Sequence, residues 1–570
     1  MDDAVQQILD AVSIDLPWRL VEEFSELPRC LPDEVNSGAD RIVAHLSAAG
    51  VPVTVHEAEI YLSIPLHAEI RAGGKTYRGK PPSYSTDCPD GLEGELIYVP
   101  AAYSKSLATM FDQAKASDAV RGKIVVSEGF ALPGKVAEME SAGAIGVIAI
   151  NPGIDIHWGI CTPIWGSPSL EDLPRKPGIP VAAVNNPDGM ALIELARSGG
   201  RVTLATRLDE GWYKQKLPVV EIRGRTEPER FVLLHGHYDS WDVGVGDNAT
   251  GDATLLEIAR VLWQHRDRLD RSVRIAWWPG HSTGRYAGSA WYADQFAAEL
   301  DEGCLAQINC DSPGCRWATT YLNLAVMSEA KDFLISRIRA VSDGAIESER
   351  PLRAGDYSFN NIGISGLLML SSTMTPEDRA ARGYYAVGGC GGNIAWHTEN
   401  DTLEIADRDV LLRDIKLYLL SVLGIANARL LPFDWRATAR EFERTIEHYQ
   451  QAAGTEFDLS AARTSLADFQ ALLDRFYIGA ESGAIPPAAA NEAILRLARV
   501  LVPLNYTREP RFRHDPAMSV PALPILASAL ELAGLDPSLR PFARTQLTRG
   551  QNRFVGALAD ATRIVARLVG

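Results

Sequence analysis

Two histidines and two aspartates that lie far apart in the chain are the residue types of a metal site. His237 ends the apolar run FVLLHGH, and Asp247 follows ten residues later in a glycine-rich loop. Asp311 follows the run AQIN, and His397 lies in the segment WHTENDT. Imidazole nitrogens and carboxylate oxygens suit a borderline ion such as zinc. We therefore predict one or two zinc ions, or another divalent transition metal, with Asp247 able to bridge two ions.

Asp239 stands two residues after His237, where its carboxylate could orient the imidazole. Carboxylates behind metal ligands accept a hydrogen bond from the ring and fix its tautomer. An isolated His-x-Asp pair is more often solvated or satisfied in a core. The full segment HGHYDSWDVGVGDNATGDA (235–253) shifts the balance toward a functional pair.

Alternating strands and helices between about 212 and 430 are the elements that must position these residues. The runs FVLLHGH, VRIAWWPG and LAQINCDSPG are typical of strands, and ATLLEIARVLWQH and GSAWYADQFAAEL of helices. This alternation predicts an α/β domain with a doubly wound, mostly parallel sheet. In such sheets, functional groups collect beyond the carboxyl ends of the strands, which is where the candidate ligands fall.

Two further regions differ from this α/β domain in their pattern of apolar and turn-forming residues. Between about 85 and 208, short β-rich runs such as KIVVSE and IPVAAV are broken by Gly, Pro and Asn, with a predicted helix at 135–143. We interpret this region as an inserted β-rich subdomain that serves as a lid or spacer. After residue 432 the chain is helical, with one-sided apolar stripes, and could pack on the α/β domain or form a subunit interface.

Bulk properties exclude several classes of function. The 570 residues are too many for one core, and the net charge of −17 argues against a nucleic-acid partner, which clustered Lys and Arg would bind. No apolar run is long enough to span a membrane, and the acidic amphipathic start does not resemble a signal peptide. Seven scattered cysteines without a CxxC pair indicate no disulfide framework. We expect a cytoplasmic protein.

The motifs together resemble the co-catalytic zinc exopeptidases. The order and spacing of HGHYDSW…GDNATG, the strand before Asp311 and HT..DT at 397–402 are similar to that superfamily. Residues 121–151 resemble the protease-associated domain of its glutamate carboxypeptidase and transferrin receptor branch, and the tail from LPFDWRATAREFE onward resembles that branch's helical dimerisation domain. The resemblance implies a zinc exopeptidase-like domain at 1–84 and 209–430, a protease-associated domain at 85–208, a helical domain at 431–570, and a homodimer.

The resemblance also implies a role for each site residue. One metal would be held by His237, Asp247 and Asp311, while Asp239 orients His237. The second would be held by Asp247, His397 and the second member of a Glu-Glu pair. The first glutamate of that pair would be the general base.

The expected Glu-Glu pair is missing from this chain. The segment PGHSTGRYAGSAWYAD (279–294) has no acidic residue between Trp278 and Ser289, and His281 and Ser282 stand roughly where the two carboxylates belong. A carboxylate base and an anionic ligand are thereby lost. His281 could be the third ligand of the second metal, or a proton shuttle beside a single metal. The site could instead be inactive in a binding or scaffold protein of transferrin receptor type.

Neighbouring residues are candidates for binding the substrate. Arg285 and Tyr286 follow His281 and could meet a substrate carboxylate, while Asp356 or Tyr357 could contact the polar end of a ligand. The leading hypothesis is metal-dependent hydrolysis of an amide or related C–N bond in a small molecule or short peptide. A non-hydrolytic lyase or isomerase is the further alternative, since it needs no water-activating glutamate.

Overall fold

The structure is a computed structural model that describes residues 3–106, 117–367 and 370–569. Its strands are β1 (Thr54–Ala72), β2 (Lys75–Gly79), β3 (Cys88–Tyr98), β4 (Ile124–Glu128), β5 (Gly146–Ile150), β6 (Val181–Val184), β7 (Arg201–Ile222), β8 (Glu227–His237), β9 (Arg271–Trp278), β10 (Cys304–Asn309), β11 (Tyr321–Ala325), β12 (Ile346–Glu349) and β13 (Gly366–Leu367).

The helices fall into an N-terminal group, single helices between strands, and a C-terminal group. They are α1 (Asp3–Asp10), α2 (Asp15–Phe24), α3 (Pro32–Ala48), α4 (Pro133–Ser141), α5 (Asn186–Arg197), α6 (Thr250–Gln264), α7 (Ala287–Gln295), α8 (Ala297–Gly303), α9 (Lys331–Arg339), α10 (Pro376–Arg382), α11 (Arg408–Ala426), α12 (Trp435–Ala453), α13 (Ser460–Ser482), α14 (Pro487–Tyr506) and α15 (Arg540–Val569).

A single large sheet runs through the α/β domain and the inserted region. Its strand order is β13-β10-β8-β9-β7-β3-β4-β5-β6, and β1 pairs with β2 and with β7. The pairs within β13-β10-β8-β9 are parallel, as are those within β3-β4-β5-β6. The long strand β7 joins these two parallel parts, since it pairs antiparallel with β9 near one end and with β3 near the other, and β1 pairs along most of its length.

The central strands β8 and β9 are buried on both faces because helices cover each side. Val232 and Leu234 of β8 pack in the same apolar cluster as α6 and α11, whereas Phe231 and Leu233 on the opposite face pack with α7. Alternate residues of a strand point to opposite faces, so a strand covered on both sides must be apolar throughout. The predicted fold class, a mostly parallel α/β sheet with a β-rich insertion and a helical C-terminal region, is confirmed.

The C-terminal helices α12 to α15 pack directly on the α/β domain. Trp435, Phe442, Ile494 and Phe554 belong to the same continuous apolar cluster as the residues on one face of β8. The backbone N–H of Asp434 also donates to the carbonyl oxygen of Glu329, 2.8 Å away. Of the two predicted uses of this tail, packing on the α/β domain is therefore realised.

Two smaller expectations concern cysteines and membranes. All seven cysteines are free thiols, which agrees with the expectation that they form no disulfide framework. Among the described helices, none combines the length and the apolar character needed to cross a bilayer.

Candidate active site

The four predicted ligands converge on the carboxylate of Asp247. Its Oδ1 lies 3.1 Å from Nε2 of His237, and its Oδ2 lies 3.1 Å from Nε2 of His397. The Nε2 atom of His237 is also 3.8 Å from Oδ2 of Asp311. Each oxygen of Asp247 thus faces a different histidine, which is the arrangement of a carboxylate able to bridge two ions.

Strand topology explains why distant residues meet here. His237 is the last residue of β8, and Asp311 comes two residues after the end of β10. These strands are neighbours and parallel, so their carboxyl ends lie at the same edge of the sheet. Asp247 lies in the loop before α6, where Oδ1 and Oδ2 of Asp401 accept hydrogen bonds from the backbone N–H groups of Gly246 (2.7 Å) and Asp247 (3.0 Å).

Hydrogen bonds from the far side of each ring fix the tautomer of both histidines. Nδ1 of His237 donates to the carbonyl oxygen of Asp239 at 2.8 Å, and Nδ1 of His397 donates to the carbonyl oxygen of Trp158 at 3.1 Å. A neutral imidazole that donates through Nδ1 presents a lone pair at Nε2. Both lone pairs therefore face Asp247.

Asp239 occupies a different place from the one expected of it. Its carbonyl oxygen, not its carboxylate, holds His237, and Oδ1 lies 3.9 Å from Nδ1. The carboxylate instead accepts hydrogen bonds from the backbone N–H groups of His281 (2.9 Å) and Ser282 (2.8 Å). The physical reason is that two N–H groups of a tight turn compete for this carboxylate. Asp239 therefore fixes the turn that carries His281.

Unpaired polar atoms at the centre of the cluster show that the residues fit a metal. Nε2 of His237 and Oδ1 of Asp247 are buried, and neither makes a hydrogen bond within the described chain. Two lone pairs facing each other in a buried site are costly unless a cation lies between them. Burial lowers the pKa of His237, but Asp247 and Asp311 outweigh it and raise that pKa well above its ordinary value, so the site favours positive charge. Nitrogen and carboxylate donors of this kind suit zinc.

His281 faces this cluster and is held from behind by Asp356. Its Nδ1 lies 2.8 Å from Oδ2 of Asp356, which leaves Nε2 for the cluster. A ring nitrogen of His281 lies within 4.8 Å of donor atoms of His237 and Asp311. The rings of His281 and His237 are stacked, with centroids 3.7 Å apart and planes inclined by 16°. Because the lone pair of an imidazole nitrogen lies in the ring plane, two stacked rings do not point at the same ion.

Asp356 and Tyr357 lie behind the cavity wall, which differs from the expectation that they contact a ligand. Asp356 is fully buried and also accepts a hydrogen bond from Oγ of Ser289 at 2.6 Å. Burial raises the pKa of Asp356, but His281 and Ser289 outweigh it and leave that pKa below its ordinary value. Tyr357 is fully buried in the apolar core. Sequence alone gave no sign that residues 281 and 356 would meet.

A cavity opens over the cluster, lined by residues of the inserted region and of the α/β domain. Arg285 and Tyr286 line it as expected, whereas Ser282 does not. Trp396 lines the cavity, and Trp241 lies behind it, stacked on Trp158 with ring centroids 5.6 Å apart.

The insertion contributes directly to the site and is more than a spacer. Phe130, Leu132 and Trp158 from this region line the cavity, and the carbonyl oxygen of Trp158 orients His397. The backbone N–H of Trp158 also donates to the carbonyl oxygen of His397 at 2.8 Å. Sequence analysis missed these residues because a backbone carbonyl leaves no signature in residue type. The aromatic residues between apolar runs of the insertion were the one available signal.

Comparisons with known proteins agree with this geometry. Residues 219–422 match the model of peptidase family M28, and residues 92–192 match that of the PA domain. The probable glutamate carboxypeptidase VP8 of Zea mays is 24% identical over 478 residues, which cover 72% of this chain and 66% of that protein. Carboxypeptidase Q of Homo sapiens is 27% identical over 217 residues, 36% of this chain and 43% of that protein. The matched regions thus span less than two thirds of either relative.

Solved structures share the fold at low sequence identity. The aminopeptidase from Aneurinibacillus sp. strain AM-1 superimposes with a TM-score of 0.54 and 19% identity, over 74% of this chain and 96% of that one. A zinc aminopeptidase from Bacillus subtilis gives a TM-score of 0.53 at 19% identity, over 72% and 94%. Residues 219–422 are thus similar to peptidase family M28 and residues 92–192 to the PA domain, the two domains that the resemblance to the zinc exopeptidase superfamily implied.

Proposed function

We propose that the protein is a metal-dependent hydrolase that cleaves an amide or related C–N bond in a small molecule or short peptide. The observation that carries this proposal is the pair of His281 and Asp356, 2.8 Å apart, with a ring nitrogen of His281 within 4.8 Å of donor atoms of His237 and Asp311. The relatives are named as peptidases, which supports a peptide or peptide-like bond as the target.

Zinc held by His237, Asp247, Asp311 and His397 would polarise the scissile carbonyl group and lower the pKa of a water molecule. The chain's own contribution is to hold these donors buried at the base of the cavity. Burial strengthens each electrostatic interaction there because the effective dielectric constant is lower than in water.

His281 is the proton carrier in this proposal. Asp356 holds the proton on Nδ1, so Nε2 has a lone pair that takes a proton from the attacking water. The negative charge of Asp356 then stabilises the imidazolium, which returns the proton to the leaving nitrogen. The stacking of His281 on His237 supports this role over that of a ligand to the ion that His237 holds. This role replaces the glutamate base that the superfamily pattern would have supplied.

A binding or scaffold protein is the rival class, and the test separates it from an enzyme. The metal content of the purified chain is measured by mass spectrometry, together with its activity on dipeptides and N-acyl amino acids in oxygen-18 water. We expect bound zinc and one oxygen-18 atom in the new carboxylate. Bound metal without turnover of any of these amides would overturn the proposal, and turnover without the label would favour a non-hydrolytic reaction.

The role of His281 is tested separately with His281→Asn. We expect kcat to fall on the order of 10²- to 10⁴-fold while the metal content stays constant, because a general base is lost and no ligand is. The exposed His448→Asn is the matched control and should be fully active. If metal and activity are lost together in His281→Asn, His281 is a ligand and the relay is wrong.

A further inference from the structure

Arg285 is a buried cation, and one edge of its guanidinium group has no hydrogen-bond partner among the described residues. Its side chain lines the cavity, yet the residue is only 5% exposed. Its Nε and Nη2 atoms are buried and make no hydrogen bond to any part of the chain that the structure describes. No carboxylate among residues 3–106, 117–367 and 370–569 forms an ion pair with it. A buried charge without a partner costs several kcal/mol, so this arrangement requires a reason.

Nε and Nη2 are the two guanidinium atoms through which an arginine binds a carboxylate in the side-on arrangement. Nε and Nη2 lie on one edge of the guanidinium plane, and their N–H bonds are nearly parallel. Their spacing matches the two oxygens of a single carboxylate, which is the geometry of the strong bidentate pair. Both donors of this edge are free together, so the unfilled site has the shape of a carboxylate.

The backbone holds Arg285 in a conformation that residues with a side chain rarely adopt. Arg285 and Tyr286 have φ values of 49° and 69°, in the left-handed region. The carbonyl oxygen of Arg285 accepts a hydrogen bond from the N–H of Gly166 at 2.7 Å, and the ring of Trp165 packs on Tyr286 with centroids 4.2 Å apart. The guanidinium carbon lies 4.8 Å from the centre of the Tyr286 ring. The surroundings thus fix the cation in place, as is typical of a functional site.

A second buried arginine, Arg353, lies near Arg285 but outside the lining of the cavity. It is 7% exposed, donates to the carbonyl oxygens of Tyr357 (3.0 Å) and Asp515 (2.8 Å), and stacks on Trp165 at 3.5 Å. The carboxylate of Asp515 acts on Arg353, whereas Arg285 has no such partner among the described residues. The positive charge left over at Arg285 favours an anionic ligand.

We propose that Arg285 binds a carboxylate of the substrate, and that the substrates are small N-acyl amino acids or short peptides with a free carboxylate. Phe130, Trp158 and Trp396 provide aromatic walls for an apolar side chain of the same molecule. The bond that is cleaved rests on the proposed hydrolase function, but the binding of the carboxylate does not. The same cavity therefore holds a metal cluster for the amide group and a cation for the acid.

Calorimetric titration with a matched pair of ligands tests this subsite. The full-length chain, as purified and again after chelation, is titrated with N-acetyl-L-phenylalanine and with its primary amide. We expect the acid to bind on the order of 10- to 100-fold more tightly than the amide, as a charged hydrogen-bond pair predicts. Arg285→Met should remove this preference, and Arg285→Lys should keep part of it, because lysine keeps the charge and loses the fork.

The exposed Arg382→Met is the matched control, since it removes the same charge outside the cavity and should keep the preference. Arg285→Met should melt at the same or a higher temperature than the parent, because it removes an uncompensated buried charge. Equal binding of acid and amide by the parent chain would overturn the proposal. So would a preference that persists in Arg285→Met.

Separate activity measurements keep the two proposals apart. An acid preference that depends on Arg285, without turnover of any amide, would support the carboxylate site and contradict the hydrolase. Turnover of N-acetyl-L-phenylalanine by a chain that binds acid and amide equally would do the reverse.

Discussion

At the scale of single residues, the site consists of groups that act in pairs. His237 and His397 present Nε2 to Asp247 because the carbonyl oxygens of Asp239 and Trp158 hold their Nδ1 protons. His281 is held in the same way by the carboxylate of Asp356. A carbonyl oxygen fixes a tautomer without adding charge, whereas a carboxylate also places a negative charge beside the ring. This difference separates the two candidate ligands from the proposed proton carrier.

Asp356→Asn should therefore lower kcat by about 10²- to 10⁴-fold with little change in KM or metal content. An asparagine amide can donate to Nδ1, which would place the ring proton on Nε2 and remove the base. Steady-state kinetics and metal analysis measure kcat, KM and the metal content.

Ser358→Ala is the control for that substitution. Oγ of Ser358 lies one hydrogen bond further away, 2.8 Å from Oγ of Ser289, and its loss should leave kcat nearly unchanged. An Asp356→Asn enzyme with the parental kcat would show that this carboxylate has a structural role alone.

The convergence of the four candidate ligands could be predicted from sequence because each combines a suitable residue type with a strand end or a glycine-rich loop. The hydrogen bonds that orient the histidine rings could not be predicted. The His-x-Asp spacing does not say whether the carbonyl or the carboxylate of Asp239 reaches the ring. The meeting of His281 and Asp356, 75 residues apart, depends on the packing of a loop on α7.

At the scale of elements, the long pair of β1 and β7 connects the inserted region to the α/β domain. β7 runs from Arg201 to Ile222 without a break and so passes through residue 208, where the sequence placed a domain boundary. Alternating hydrophobicity identifies a strand but cannot show where it leaves one domain for another. The helix–strand alternation elsewhere, in contrast, was sufficient to predict the parallel sheet. The proposed domain limits remain predictions.

Glu329 lies at the junction of the α/β domain and the C-terminal helices. It is 3% exposed, and it accepts hydrogen bonds from Oγ of Ser365 (2.6 Å) and Oγ1 of Thr438 (3.2 Å). Burial raises its pKa to about 7, although both hydroxyl groups act against this shift. The folded protein therefore keeps this carboxyl protonated in a range where the unfolded chain has released the proton.

Glu329→Gln should accordingly change how stability depends on pH. Between the ordinary glutamate pKa of about 4.5 and pH 7, the folded state binds more protons than the unfolded state, so stability falls as pH rises. The Glu329→Gln variant has no carboxyl group that titrates here, so its free energy of unfolding does not fall in this way. At pH 8 it should exceed that of the parent by up to about 3 kcal/mol. Urea unfolding at pH 4.5 and pH 8 measures the difference, with the exposed Glu377→Gln as control. Parallel curves for parent and Glu329→Gln would contradict the expectation.

At the scale of the whole molecule, the cavity exists because the inserted region packs against the α/β domain over the metal cluster. One wall comes from each part, so the size of the substrate is limited by how closely the two are held together. A small-molecule or short peptide substrate agrees with such an enclosed space. The expected homodimer, the exclusion of nucleic acid and the cytoplasmic location stay predictions.

His157 is a contact between these two parts. It is 2% exposed, with Nδ1 2.6 Å from the carbonyl oxygen of Trp396 and Nε2 2.8 Å from the hydroxyl of Tyr385. Burial, with a smaller effect of His397, lowers its pKa to about 3. Its imidazole is therefore neutral in the folded protein, donating through Nδ1 and accepting at Nε2.

Acid should weaken this junction, and His157→Gln should remove part of the effect. Below the ordinary histidine pKa of about 6.5, the unfolded chain binds a proton that the folded state excludes, so stability is lost as pH falls from 6.5 toward 3. Each such histidine contributes up to about 1.4 kcal/mol per pH unit. Glutamine can hydrogen-bond but cannot be protonated, so the melting temperature of His157→Gln should fall less between pH 7 and pH 5. The exposed His448→Gln should follow the parent. If the melting temperatures of His157→Gln and the parent fall equally between pH 7 and pH 5, the imidazole is protonated in the folded state. His157 would then not contribute to the loss of stability in acid.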